Sequence, residues 1–139
     1  MIKIAHTDED LASCYPVMAQ LRPHLSCDEF VVRVKRQGME SGFKLVFLAE
    51  GEKIVAVGGI RIGEWLAGGK YLEIEDLVTA DDARSEGHGG RLFDRIIEMA
   101  KAEGCDELRL VSAVTRYDAH RFYLNKRMKI QAYYFSMNL

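Results

Sequence analysis

At 139 residues the chain is long enough for one sizeable core and too short for two ordinary enzyme domains, so a single domain over residues 1–139 is expected. Its 48% apolar and 29% charged residues suit a folded globular protein, and a net charge of −2 supplies no general attraction to nucleic acid or to a membrane surface. Cys14, Cys27 and Cys105 are an odd set without metal-ligand spacing. Reduced, mostly buried thiols and no metal are expected, and the start has no apolar signal core, so a cytoplasmic location is expected too.

Ile2 to Ala5 reads as a first strand, and Thr7-Asp8-Glu9-Asp10 as the cap and acidic first turn of a helix running to about Leu21. Pro16 marks an irregularity inside that helix, and Pro23 ends it near Arg22. A second helix opens at Ser26 and carries Phe30, Val31 and Val34 on one side until Gly38 and Gly42 break it. Two β-rich runs, Lys44 to Ala49 and Ile54 to Ile62, flank the turn Glu50-Gly51-Glu52-Lys53. A second turn over residues 67–70 leads into a third run from Tyr71 to Val78.

Past Val78 the period changes. Leu92, Phe93, Ile96, Ile97 and Ala100 recur at helical spacing while Arg91, Asp94, Arg95, Glu98 and Lys101 face away. Gly104 ends this helix, Leu108 to Ser112 is the next strand, Tyr117 to Asn125 a short helix, and Gln131 to Met137 a closing strand. The order predicts a mixed α/β fold with a meander followed by a strand-helix-strand crossover.

Between Val78 and the amphipathic helix lies Arg84-Ser85-Glu86-Gly87-His88-Gly89-Gly90-Arg91. Glycines let backbone amides approach a ligand, and a helix N-terminus offers unpaired N–H groups and partial positive charge, which suits a pyrophosphate. Arg84 and Arg91 can add charge-assisted contacts. The plain alternative is a tight turn into the helix. No Gly-Lys-Ser/Thr closes a P-loop, and Leu92 holds the last glycine position of a dinucleotide fingerprint.

The Arg84-x-x-Gly87-x-Gly89 spacing, set between an acidic-apolar strand and an amphipathic helix, resembles the signature of the GNAT superfamily of N-acetyltransferases. Ala119-His120-Arg121-Phe122-Tyr123 is similar to a second motif of that family, in the expected order. The resemblance implies a GNAT-like mixed, mostly antiparallel central sheet flanked by helices, and an acetyl-CoA-dependent transfer of acetyl directly to a primary amine of a small molecule or peptide. It also implies that backbone groups of Leu77, Val78 and Thr79 hold the pantetheine arm. Arg84, Ser85, Glu86, Gly87, His88, Gly89, Gly90 and Arg91 would then bind the pyrophosphate, with Ala119 also on the cofactor. Many relatives carry an asparagine three positions before the alanine and a glycine-aromatic pair after the helix. Arg116 and Arg127-Met128 stand there instead, and the latter implies a differently shaped turn.

By the same resemblance Tyr123 protonates the departing thiolate; by residue type alone it is an amphipathic core tyrosine. Strict alternation places Glu73 and Glu75 on one face of their strand, and Glu75 is the candidate base, against the alternative of a solvated acidic face. His88 and His120 receive no catalytic role. A non-catalytic acyl-CoA-binding sensory module is the alternative function, with a protein-interaction domain behind it. Neither nucleic acid nor membrane is an expected partner, and a homodimer is left open.

Overall fold

A computed structural model describes all 139 residues, which fall into two units, Met1–Arg109 and Leu110–Leu139. In the first, β1 (Ile2–Ile4) precedes α1 (Asp8–Leu21) and α2 (Cys27–Ser41). Then come β2 (Lys44–Glu50), β3 (Lys53–Trp65) and β4 (Gly69–Thr79), a 3-10 turn at Asp81–Ala83, α3 (His88–Ala102) and β5 (Glu107–Leu110). The second unit carries α4 (Tyr117–Asn125).

Local chemistry explains the boundaries. Thr7 and Asp10 form a reciprocal capping box at the start of α1, satisfying two otherwise unpaired N–H groups. The backbone hydrogen bond from His6 holds the Asp10 carboxyl below its ordinary range. Pro16 lies inside α1 without ending it. Ser26 caps α2 through the Glu29 amide. Gly38 does not break α2, contrary to expectation, because a lone glycine lowers helix stability without blocking its hydrogen bonds; Gly42, left-handed at φ 70°, is the true stop.

The five strands lie in the order β1-β2-β3-β4-β5, and β1–β2, β2–β3 and β3–β4 are antiparallel. Asp106 donates its amide to the Lys70 carbonyl at 2.7 Å and Arg109 pairs with Glu73 at 3.0 Å. Both contacts advance in the same direction along the two chains, so β5 runs parallel to β4, as a crossover through α3 requires. The fold is therefore a mixed, mostly antiparallel α/β sheet with helices on both faces, as expected.

Gly58 and Gly59 distinguish those faces. A Cβ on Gly58 would meet Ile96 of α3 at 3.3 Å, whereas one on Gly59 would meet the Phe43 ring at 2.6 Å and also the Asp76 carboxylate. Leu92, Phe93, Ile96 and Ala100 bury the inner stripe of α3 against the first face. Each of the three larger side chains stabilises that packing by roughly 1.5–3 kcal/mol relative to exposure.

In the second unit, α4 ends in a left-handed turn. Arg127 has φ 67°, and the Met128 amide reaches back to the Tyr123 carbonyl at 3.1 Å. Arg127 thus adopts the left-handed conformation that glycine favours at a helix end. Residues 126–139 contain no strand, so the closing strand over Gln131 to Met137 is absent, and Tyr133, Tyr134 and Phe135 are exposed. A strand needs a partner for its ladder, and none pairs with this segment.

Candidate active site

The strand register places the chemistry. Across β3 and β4 the pairing runs Arg61↔Glu73 and Ile60↔Ile74, then Gly59↔Asp76, so Glu75 is an extra residue, a β-bulge. Cross-strand partners share a face. Leu72 and Ile74 therefore lie on the α3 side, while Asp76 shares the Gly59 side with α1 and α2. The bulge reverses the alternation. Glu73, Glu75 and Asp76 come to one face, where alternation alone gathers only the first two.

Two arginines hold this acidic bulge. Arg22, the residue that ends α1, donates Nε to Asp76 Oδ1 at 2.8 Å and Nη2 to the Glu75 carbonyl at 3.1 Å. Arg61 clasps the Glu75 carboxylate at 2.7 and 3.2 Å and reaches Gln37 Oε1 at 2.6 Å and Ser41 Oγ on α2. Glu75, the candidate base, thus has a guanidinium across both oxygens. Burial pushes the Asp76 carboxyl up, against the opposing pull of Arg22. Arg22, Arg33, Gln37, Phe43, Glu75 and Asp76 line a cavity of about 330 Å³.

Past the bulge, Leu77, Val78 and Thr79 pair with Gly58, Val57 and Ala56 of β3. On the other side β5 ends at Leu110, one residue past the Arg109–Glu73 contact. No strand covers that edge of residues 77–79, and alternate residues there direct their N–H and C=O outward. The Thr79 carbonyl is taken by Gln20 Nε2 at 2.9 Å, and Gln20 Oε1 accepts the Asp81 amide at 3.0 Å. One α1 side chain thereby fixes where β4 becomes the loop.

Within the loop, Ser85 and Gly87 are left-handed at φ 66° and 82°, and Gly87 is the cap residue of α3 without a side-chain cap. The first intrahelical donor is Arg91, bonded to the Gly87 carbonyl at 3.0 Å, so the amides of His88, Gly89 and Gly90 precede the ladder. No acidic residue stands in this first turn to neutralise them. A Cβ on Gly89 would come within 3.0 Å of Thr79 Oγ1, so the glycine lets the helix start lie against β4. This set of donors fits a pyrophosphate, and the open edge of β4 fits an amide-bearing arm.

The side chains of the loop are otherwise engaged. Arg84 pairs with Asp81 at 2.8 Å, and Arg91 pairs with Glu50, whose carboxyl it holds below its ordinary range. The His88 side chain is 10% exposed, with Nε2 3.5 Å from Glu86; its Nδ1 is buried without a hydrogen bond. In the second unit, Tyr123 packs edge-on against Phe122 at 5.4 Å, and burial raises its hydroxyl pKa while the Arg116 charge opposes the rise. Ala119 lies on α4, and His120 Nε2 is 2.9 Å from the Ala113 carbonyl, a structural contact.

Sequence reasoning missed Gln20, Arg22 and Gln37. They are polar residues of α1 and α2 whose partners lie some twenty to sixty positions away, and no local pattern marks them. The bulge was equally hidden, although three acids within four positions of an otherwise apolar strand were a usable signal.

The Acetyltransferase (GNAT) family model matches residues 6–128, and the chain belongs to that family of acetyltransferases. It is 34% identical over 128 residues to YhdJ of Bacillus subtilis, described as an uncharacterized N-acetyltransferase, with 91% of this chain and 90% of that one covered. Among solved structures it is similar to a Bacillus halodurans protein described as a transcriptional regulator, with 27% identity, TM-score 0.85 and coverage of 100% and 99%. A GNAT family acetyltransferase of Staphylococcus aureus shares the fold at 18% identity, TM-score 0.83 and coverage of 100% and 98%. A ribosomal-protein-alanine N-acetyltransferase of Brucella melitensis does so at 13% identity, TM-score 0.85 and coverage of 100% and 99%. No helix is long and apolar enough to cross a membrane.

Proposed function

We propose that this chain transfers acetyl from acetyl-CoA directly to a primary amine, without a covalent enzyme intermediate. The observation that carries the reading is the run of unclaimed amides at the start of α3, directly after a β4 segment whose outer edge is open. Acetyl-CoA supplies the acetyl group as an activated thioester. The amides of His88, Gly89 and Gly90 bind the pyrophosphate, and the outward-facing backbone groups of the stretch Leu77, Val78 and Thr79 hold the pantetheine arm. A Leu77 or Val78 amide stabilises the developing oxyanion.

Proton transfer completes the account. As the C–N bond forms and the C–S bond breaks, one proton leaves the amine and one reaches the sulfur. Tyr123 gives the second, by its place in the family motif; a phenol is protonated at neutral pH, and burial, which raises this one further, does not change that. Asp76 takes the first, directly or through water: it lines the cavity, Arg22 engages only its Oδ1, and its carboxyl is shifted toward neutral pH. Glu75, bound by Arg61, shapes the acidic wall that receives a cationic amine.

A second reading, an acyl-CoA sensor without turnover, is favoured by the description of the Bacillus halodurans relative as a transcriptional regulator. Calorimetry with CoA and an acceptor screen following thiol release, with mass detection of product, separate the two. Binding with turnover supports transfer; binding without turnover across a broad amine panel supports the sensor. Equal CoA affinity in wild type and a folded Gly89→Val variant would remove the loop from the site.

A further inference from the structure

We infer that the acceptor is a small amine that also carries an acidic group, carboxylate or phosphate, and that Arg33 of α2 selects it. The amine itself is placed beside Asp76, on the transfer reading above. Phe30, Arg33, Val34 and Gln37 follow one another at helical spacing on the face of α2 that lines the cavity of about 330 Å³. Phe30 and Val34 are buried, and Gln37 receives the Arg61 guanidinium. Arg33 stands in this inward stripe, and its side chain has no hydrogen bond or ion pair.

Charge along the wall identifies what is missing. The lining carries Arg22, Arg33, Glu75 and Asp76. Arg22 is matched by Asp76 at 2.8 Å, and Arg61, reaching in from β3, matches Glu75 at 2.7 Å. Of the lining charges only Arg33 is left over. Elsewhere on α2, Lys35 has its own acid in Asp8 at 3.1 Å. A guanidinium at the wall of a concave site, with its donors unclaimed, offers a planar fork to the oxygen pair of a carboxylate or phosphate.

The two poles define the ligand. At the β4 pole, Asp76 Oδ2 takes no part in the Arg22 pair, and an ammonium can dock there before it gives up its proton. At the α2 pole Arg33 attracts an anion. Met18, Leu25, Phe30, Val34 and Phe43 add apolar wall to the same cavity, so the middle of the ligand is uncharged. The volume lies at the lower end of the roughly 300–1,000 Å³ typical of ligand pockets, which suits a molecule of amino-acid or dipeptide size. A diamine or polyamine would set a second cation against Arg33, and like charges at close range repel.

Equilibrium binding in the presence of CoA, followed by NMR titration of the full chain, tests this with β-alanine, leucine and leucylglycine, each beside its amide, and with ethylenediamine. Each acid is expected to bind about 10-fold more tightly than its amide, a ratio held down by the exposure of Arg33, with the diamine weakest. Arg33→Gln should bring acid and amide level. Arg36→Gln removes the same charge from α2 away from the cavity and should leave the ratio as it was. Aminoethylphosphonate against β-alanine shows which acid the fork prefers. Equal binding of acids and amides in wild type, a ratio that survives Arg33→Gln, or binding of no acid at all would overturn the proposal. Turnover is read separately by mass. An acid preference carried by Arg33 with no acetylated product would reject transfer and leave the anion site standing, whereas product formed without that preference would do the reverse.

Discussion

Arg22 ends the first helix and Asp76 follows the bulge of the fourth strand, and the two meet at 2.8 Å although 54 positions separate them. The Asp76 side chain is 15% exposed and the Arg22 side chain 40%. The pair is therefore anchored on its acidic member and wet on its basic one. Arg22→Ala leaves a buried carboxylate without its partner. Discounted for the exposure of Arg22, the expected loss is about 1–2 kcal/mol, read from the urea midpoint at pH 7.

The same pair has a pH signature. Burial raises the Asp76 pKa above its ordinary 3.8, so in the window just above that value the native state holds more protons than the unfolded chain. Asp76's contribution to stability is then greatest at low pH and declines as pH rises through the raised pKa. Wild type minus Asp76→Asn, followed from pH 3 to 7, should decline in that direction. A difference that rises with pH would mean the carboxyl is depressed instead.

Gly89 and Thr79 should couple. Alanine at 89 would press on Thr79 Oγ1, so Gly89→Ala is expected to be less favourable, by roughly 0.5–1 kcal/mol, in wild type than in a Thr79→Ala background. A double-mutant cycle by chemical denaturation measures the difference; zero coupling would place the helix start away from β4.

If Tyr123 is the acid, Tyr123→Phe keeps the ring against Phe122 while slowing single-turnover transfer by about 10²–10⁴-fold with CoA affinity unchanged. The alkaline limb of the wild-type rate should lie above the ordinary tyrosine value of 10.0, because burial raises this hydroxyl. An unaltered rate in the folded variant assigns the proton to another donor.

Arg127 occupies a left-handed position at φ 67°, where a side chain costs conformational energy and glycine costs none. Arg127→Gly is expected to raise stability by about 0.5–1 kcal/mol, seen as a higher melting temperature.

Cys14 is fully buried, and burial pushes its thiol up to about 12. It should resist thiol reagents at pH 8 until denaturant is added, whereas the partly exposed Cys27 and Cys105 react in the native protein.

Much of the fold was legible because its signals are local. Thr7 with Asp10, Ser26, and the Gly51 turn mark boundaries within a few residues, and the stripe from Leu92 to Ala100 announces α3 by its period. The phosphate loop was legible for the same reason, since Gly87 and Gly89 sit beside the helix they serve. The bulge at Glu75 was not, because register depends on the neighbouring strand. Nor were Gln20 and Arg22, whose roles exist only once α1 lies on β4. The tail misled for a related reason: residues 131–137 have strand composition, and composition does not supply a partner.

The extra residue at Glu75 gives β4 a frame, as a shifted letter does in a coded message. Upstream of it even-numbered side chains face α3; downstream they face α1 and α2. Deleting Glu75 itself would leave Ile74 opposite Ile60 and Asp76 opposite Gly59, so the downstream half would keep its faces and the wall would lose only the carboxylate that Arg61 holds. Deleting Glu73 or Ile74 instead would bring Glu75 opposite Ile60 and aim its carboxylate at the apolar stripe of Leu92, Phe93 and Ile96. This stretch should therefore tolerate the loss of its extra residue far better than the loss of either residue before it.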